Sequence, residues 1–130
     1  MNVTVLHVED NPSNRMIIRD LLNFQGYKVV EAVDGEEALL AAARERPSII
    51  LMDIQLPRIS GLEAARRIKG REDLQHIPII ALTSFALSGD DKKAFQAGCD
   101  AYLAKPYKPK ELLKVIQELL KRRRDTDPAG

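Results

Sequence analysis

Two short runs constrain this chain most. Ile49–Met52 is apolar at four consecutive positions and closes on Asp53, and IPIIAL at 77–82 is apolar throughout and closes on Thr83 and Ser84. A strand with one wet face alternates apolar and polar side chains, so a run without alternation belongs to a strand covered on both faces. Such strands occur in parallel sheets whose crossover helices lie on either side.

The rest of the chain supplies those helices in alternation with further strands. VTVLHV (3–8) reads as a first strand; Asn11 then fits an N-cap and Pro12 the first helical position, where a missing N–H costs nothing. Ile17, Ile18, Leu21, Leu22 and Phe24 form a helical stripe that Gly26 ends. Residues 27–32 make a second strand, and Asp34 with Glu37 has the spacing of a capping box before a helix stopped by Arg46 and Pro47. After the third strand, Ser60 and Glu63 repeat that spacing and open a helix through Ile68. The strand at 77–82 leads to a helix capped by Ser88 and closed by Gly98. Ala101–Ala104 is a short fifth strand ending at Lys105, and Pro109 starts a last helix with Leu112, Leu113, Ile116, Leu119 and Leu120 at helical spacing.

Five strand–helix units with short links predict an α/β fold. Its sheet is five-stranded, parallel and doubly wound, in the flavodoxin-like order 2-1-3-4-5 with right-handed crossovers. The expected domain covers residues 1–122, with 123–130 a disordered basic and polar tail. The arginines of KRRR suit a helix C-terminus, which favours cations, and an anionic partner is the other reading of them.

Bulk properties exclude several function classes. Twenty basic and 19 acidic side chains leave a net charge of +1, so no global field attracts nucleic acid or an anionic membrane. No run approaches the about 18 apolar residues of a membrane span, and no signal-peptide pattern opens the chain, so a cytoplasmic protein is expected. Cys99 has no second cysteine to pair with and reads as a packed thiol.

In a parallel sheet all strand C-termini emerge on one edge, and ligands sit where the strand order reverses. The residues expected there are Glu9 and Asp10, Asp53, Thr83 and Ser84, and Lys105. Each alone is as readily a helix cap, a turn hydroxyl or a solvated charge. Together, three carboxylates in one cleft repel unless some take protons or a cation sits among them. An all-oxygen set with room for water suits Mg²⁺, and Lys105 and Thr83 then serve an anion beside the metal, such as a phosphoryl group.

At these residues the sequence resembles the receiver domain of two-component response regulators, over about Asn2 to Lys121. The resemblance rests on VEDN at 8–11, LMDIQLPRISGLE at 51–63, IPIIALTSFA at 77–86 and GCDAYLAKPY at 98–107. The spacings agree too: 43 residues from Asp10 to Asp53, 30 on to Thr83 and 22 more to Lys105. Among receivers it is most similar to the stand-alone DivK-type regulators of bacteria, although receivers of hybrid kinases share the EDN and MDIQLP wording.

The resemblance implies that Asp53 accepts a phosphoryl group from a phosphohistidine, as in a phosphorelay. Glu9, Asp10, Asp53 and the backbone carbonyl of Gln55 would hold Mg²⁺ or Mn²⁺. Lys105 would contact the phosphoryl oxygens, Thr83 would move to meet them, and Tyr102 would be the aromatic switch. The Lys105–Pro106 peptide is expected to be cis, an option open chiefly to X–Pro bonds. Gln55 and Phe85 would line the approach of hydrolytic water and tune the lifetime of the aspartyl phosphate. Readout is expected around 85–91 and Tyr102, and docking of the phosphodonor around Asn14, Arg15 and Pro106. The implied partners are a histidine kinase or histidine phosphotransfer protein and a downstream protein target, with the chain itself a monomer or weak dimer. It would catalyse its own phosphorylation and dephosphorylation without being a conventional enzyme.

Two other classes share part of this pattern. A dehalogenase-like phosphatase also uses a strand-end aspartate with Mg²⁺, but needs an acid two residues on, where Gln55 cannot transfer a proton. A flavin binder needs an edge less acidic than this one. The remaining alternative is a receiver fold that serves as a protein-interaction module and is never phosphorylated.

Overall fold

The computed structural model describes residues 3–56, 58–83 and 90–126. Five strands alternate with five helices: β1 (Thr4–Val8), α1 (Pro12–Phe24), β2 (Lys28–Ala32), α2 (Gly35–Glu45), β3 (Ile49–Asp53), α3 (Gly61–Lys69), β4 (Ile79–Thr83), α4 (Asp90–Gln96), β5 (Ala101–Ala104) and α5 (Pro109–Thr126). The strands form one parallel sheet in the order β2-β1-β3-β4-β5, as the alternation of elements predicts.

The unbroken apolar runs are explained by two cores, one on each face of the sheet. Along β3, Ile50 and Met52 join Ala38, Ala42, Ala64, Ala65, Ile68, Ala94 and Ala97 under α2, α3 and α4. Ile49 and Leu51 join Ile18, Leu22, Leu112, Ile116 and Leu119 under α1 and α5. Side chains alternate faces along a strand, so both sets must be apolar when both faces are covered. All four of these β3 side chains are fully buried, each worth about 1.5–3 kcal/mol relative to exposure.

The helix starts follow local chemistry. Asn11 Oδ1 accepts from the Asn14 N–H (3.1 Å), with Pro12 at the first turn. Asp34 Oδ1 accepts from the Glu37 N–H (2.8 Å) and Ser60 Oγ from the Glu63 N–H (3.2 Å). Neither capping box closes in full. Glu37 Oε1 reaches back to the Val33 N–H (3.4 Å), one residue before the cap, and Glu63 turns instead to Arg66 and Arg67 (both 3.5 Å).

Several boundaries differ from the sequence expectation. β4 begins at Ile79, not Ile77, and extends to Thr83. Pro78 has no N–H for the ladder and contributes only its carbonyl, to the Ile50 N–H (2.9 Å), while the Ile77 N–H closes a turn onto Leu74 O (3.0 Å). The tail expected from residue 123 is helical to Thr126, because arginines are good helix formers and a helix C-terminus favours cations. The expected cap Ser88 lies outside the described residues. No helix of the described residues is long and apolar enough to cross a membrane.

Candidate functional site

The register of the sheet assembles the site. Val8 of β1 pairs with Met52 of β3, which brings the next residues, Glu9 and Asp53, side by side at the point where the strand order reverses. Thr83 pairs with Ala104, and the Lys105 N–H then donates to Thr83 O (2.7 Å), carrying Lys105 to the same edge. Glu9, Asp53 and Thr83 are buried, Lys105 is half-buried and Asp10 is exposed.

Lys105 Nζ lies 3.1 Å from Glu9 Oε1 and 3.8 Å from Asp53 Oδ2. The Gln55 N–H donates to Asp53 Oδ1 (2.8 Å). Glu9, Asp10 and Asp53 each offer a carboxylate oxygen, and the three oxygens lie within 4.8 Å of one another. Burial raises the Asp53 carboxyl to about 7; its hydrogen bond to Glu9 and the Glu9 charge add to this, against the Gln55 N–H and Lys105. Burial also disfavours the ionised form of Glu9, but hydrogen bonds from Asp53, Lys105 and Asn14 outweigh it and lower that group to about 2. Of the two, Asp53 is the harder to ionise and Glu9 the easier. Three carboxyl groups outnumber the single ammonium of Lys105 at this edge, an excess of negative charge that a cation would offset.

The close approach of backbone to backbone beneath Asp53 depends on Gly61. A Cβ there would overlap the Asp53 carbonyl oxygen and stand 2.6 Å from Ile54 Cα. The absence of a side chain lets α3 begin directly against the end of β3, with the Gly61 N–H facing Ile54 O (3.3 Å).

The other expected site residues fall as follows. Tyr102 pairs in register with Ala81 and packs, partly buried, on the core under α2, α3 and α4. Thr83 is two residues beyond Ala81 and so shares its face of the sheet. The Lys105–Pro106 peptide is cis. Pro57, Ser84 and Phe85 lie outside the described residues, as does most of the expected readout segment 85–91.

Asn14 and Arg15, expected on a docking surface, are engaged with the site. Asn14 Nδ2 donates to Glu9 Oε1 (3.1 Å) and Arg15 Nη1 to the Glu9 carbonyl (2.9 Å). No sequence spacing marks these contacts, which depend on how α1 leaves the end of β1. Tyr107, to which the sequence pattern assigns no role, also feels the site's charges. Burial, with the nearby charges of Glu9 and Asp53, pushes its hydroxyl up to about 12.

Comparison with known proteins agrees with this geometry. Residues 5–117 match the family described as the response regulator receiver domain. The polar-differentiation response regulator DivK of Brucella anthropi is 43% identical over 120 residues, 92% of this chain and 98% of that protein, and the DivK of Brucella ovis gives the same figures. The receiver domain of a Pseudomonas aeruginosa sensor histidine kinase is 42% identical with a TM-score of 0.86, covering 93% of this chain and 99% of its own; it is described with a magnesium ion coordinated in its active site cleft. A CheY-like receiver domain protein from Methanospirillum hungatei superposes with a TM-score of 0.91 at 28% identity, over 98% of this chain and all of its own. The five-stranded order, the acid pair at the end of β1, the aspartate closing β3 and these relatives lead to one assignment: the chain belongs to the receiver domains of two-component response regulators, and within them it is DivK-like.

Proposed function

We propose that this receiver is a phospho-accepting switch in which Asp53 takes a phosphoryl group from a phosphohistidine and the loaded form changes its binding to a partner protein. One observation carries the reading: Asp53, the last residue of β3, faces Glu9 and Asp10 with Lys105 Nζ 3.8 Å away. A carboxylate is a weak nucleophile toward an anionic phosphoryl group, and such a cluster is built to lower that charge barrier.

The donor set fits Mg²⁺ or Mn²⁺: all oxygen, three carboxylates converging within 4.8 Å, and more negative charge than Lys105 offsets. Glu9, Asp10 and Asp53, with the Gln55 carbonyl, would hold the ion. When bound, the ion supplies charge neutralisation at the phosphoryl oxygens. A carboxylate oxygen of Asp53 forms the new P–O bond as the P–N bond of the phosphohistidine breaks. The departing imidazole nitrogen keeps that electron pair and takes a proton from solvent. Gln55 N–H fixes the Asp53 carboxylate in orientation, and Lys105 moves from Glu9 to the phosphoryl oxygens. Thr83, fully buried at the end of β4, offers its hydroxyl to the same oxygens, and its shift changes the packing open to Tyr102. Gln55 and Phe85 tune loss of the phosphoryl group to water.

In this reading the donor is a histidine kinase or histidine phosphotransfer protein, and the exposed Met16 and Ile17 of α1, beside the site, supply apolar contact for it. The output is a protein partner, in a bacterial cytoplasm, with the receiver acting as a monomer or weak dimer and without nucleic acid. The test is exposure of the protein with Mg²⁺ to acetyl phosphate and, separately, to beryllofluoride. The expected result is a mass gain of one phosphoryl group with the first and an altered NMR spectrum with the second, both abolished by Asp53→Asn. No mass gain and no spectral change would overturn the reading and leave an interaction module that is not phosphorylated.

A further inference from the structure

Besides Asp53, three side chains hold the buried Glu9, two at its carboxylate and one at its main-chain carbonyl, and two of the three come from α1. Its Oε1 accepts from Lys105 Nζ (3.1 Å) and from Asn14 Nδ2 (3.1 Å), while its main-chain carbonyl accepts from Arg15 Nη1 (2.9 Å). Its own N–H is committed to Ala32 O (2.9 Å) on β2. Both side-chain donors load the same oxygen, Oε1. Asn14 is itself fixed, since its N–H donates to the capping Asn11 Oδ1 (3.1 Å), so its amide meets Glu9 from an anchored turn.

These contacts are unequal once the site works as proposed above, and the inference rests on that reading. Lys105 serves Glu9 in the resting arrangement and must leave it to reach a phosphoryl group. Asn14 has no such second duty. We infer that Asn14 is a positioning residue for the metal site: it keeps Glu9 Oε1 in place when Lys105 departs, so that the other oxygen stays turned toward the cation. Hydrogen-bond partners behind a metal ligand typically contribute about 10-fold or more to metal affinity. This separates Asn14 from the exposed side chains of α1 such as Ile17, whose part is contact with another protein.

The experiment is Mg²⁺ titration of the full chain by calorimetry, with and without beryllofluoride, for the parent, Asn14→Ala, Asn14→Gln, Asn14→Ser and, at the exposed far end of α1, Phe24→Ser. Asn14→Ala is expected to weaken Mg²⁺ about 10-fold, and by a larger factor with beryllofluoride, when Lys105 is drawn away. Asn14→Gln, which keeps the amide, restores part of the loss; Phe24→Ser binds as the parent does. Far-UV circular dichroism in EDTA checks folding, and Asn14→Ser replaces Asn14→Ala if the latter does not fold, with the same expectation. Parental Mg²⁺ affinity in the folded Asn14 variants overturns this inference alone. A parent that binds no Mg²⁺ overturns the reading of the acidic cleft and this inference with it.

Discussion

Replacing Asp53 by asparagine is expected to stabilise the metal-free protein at alkaline pH, although it removes the reacting group. Asparagine keeps the size of aspartate and can donate to Glu9 as the protonated acid does, but carries no charge. The Asp53 carboxyl lies at about 7 in the fold against an ordinary value of 3.8. A raised carboxyl adds stability that is fully present below the unfolded value and lost as pH rises through the folded one. Between pH 4 and 7 the fold therefore binds more protons at this group than the unfolded chain, and stability falls. The interval from 3.8 to about 7, at about 1.4 kcal/mol per pH unit, bounds the cost at about 4 kcal/mol. Asp53 is only 4% exposed, but the neighbouring Lys105 side chain is 22% exposed and admits water. Screening there brings the expected difference to about 2 kcal/mol at pH 8. Urea unfolding followed by far-UV circular dichroism, in EDTA at pH 8 and pH 4.5, measures it. Asp53→Asn should exceed the parent at pH 8 and lose that advantage at pH 4.5. Saturating Mg²⁺ should raise the parent more than the variant, which has lost a ligand. An Asp53→Asn protein less stable than the parent at pH 8, or a difference unchanged by pH, refutes the account of an overcharged cleft.

Two further predictions concern residues behind the site. Gly61→Ala forces the start of α3 off the Asp53–Ile54 backbone; it should cost about 2–3 kcal/mol in urea unfolding and weaken Mg²⁺. Gly98→Ala, strained by φ 98° and by contact with Lys69 at the other end of α3, should lower stability while leaving Mg²⁺ affinity unchanged. Equal Mg²⁺ affinity in the two variants would show that Gly61 does not position the site. His7 is buried at 1% exposure with no partner for Nδ1 among the described residues, and burial lowers it to about 4 from 6.5. A depressed histidine costs nothing above pH 6.5, and stability is lost as pH falls from there through about 4. His7→Leu should therefore gain on the parent by up to about 3 kcal/mol between pH 7 and 4; a pH-independent difference would place the histidine charge elsewhere.

Much of this protein is legible in its sequence because the informative positions are local. Unbroken apolar runs at Ile49–Met52 and Ile79–Leu82 imply strands covered twice, and with alternating helices that leaves little choice of architecture. The strand-end rule then brings Glu9, Asp53, Thr83 and Lys105 together without any knowledge of their contacts. Where two chain segments meet, the sequence is silent. Nothing in EDNPSN says that Asn14 donates to Glu9, since that depends on the angle between β1 and α1. The two capping motifs show the same limit: Asp34 and Ser60 bond as expected, but Glu63 prefers the arginines a turn later because α3 presents them on its exposed face. The start of β4 differs from the apolar pattern because apolarity continues through Ile77 and Pro78, whereas ladder pairing needs an N–H that proline lacks.

In the proposed reaction Asp53, and no other acid of the cleft, carries the phosphoryl group. Borohydride reduces an acyl phosphate and marks the aspartate that bore it. The protein is incubated with Mg²⁺ and acetyl phosphate, reduced, digested and sequenced by mass spectrometry. The mark is expected at Asp53 alone, and absent when EDTA replaces Mg²⁺. A mark on Asp10 or Glu9, or none on a protein that binds Mg²⁺, would contradict it.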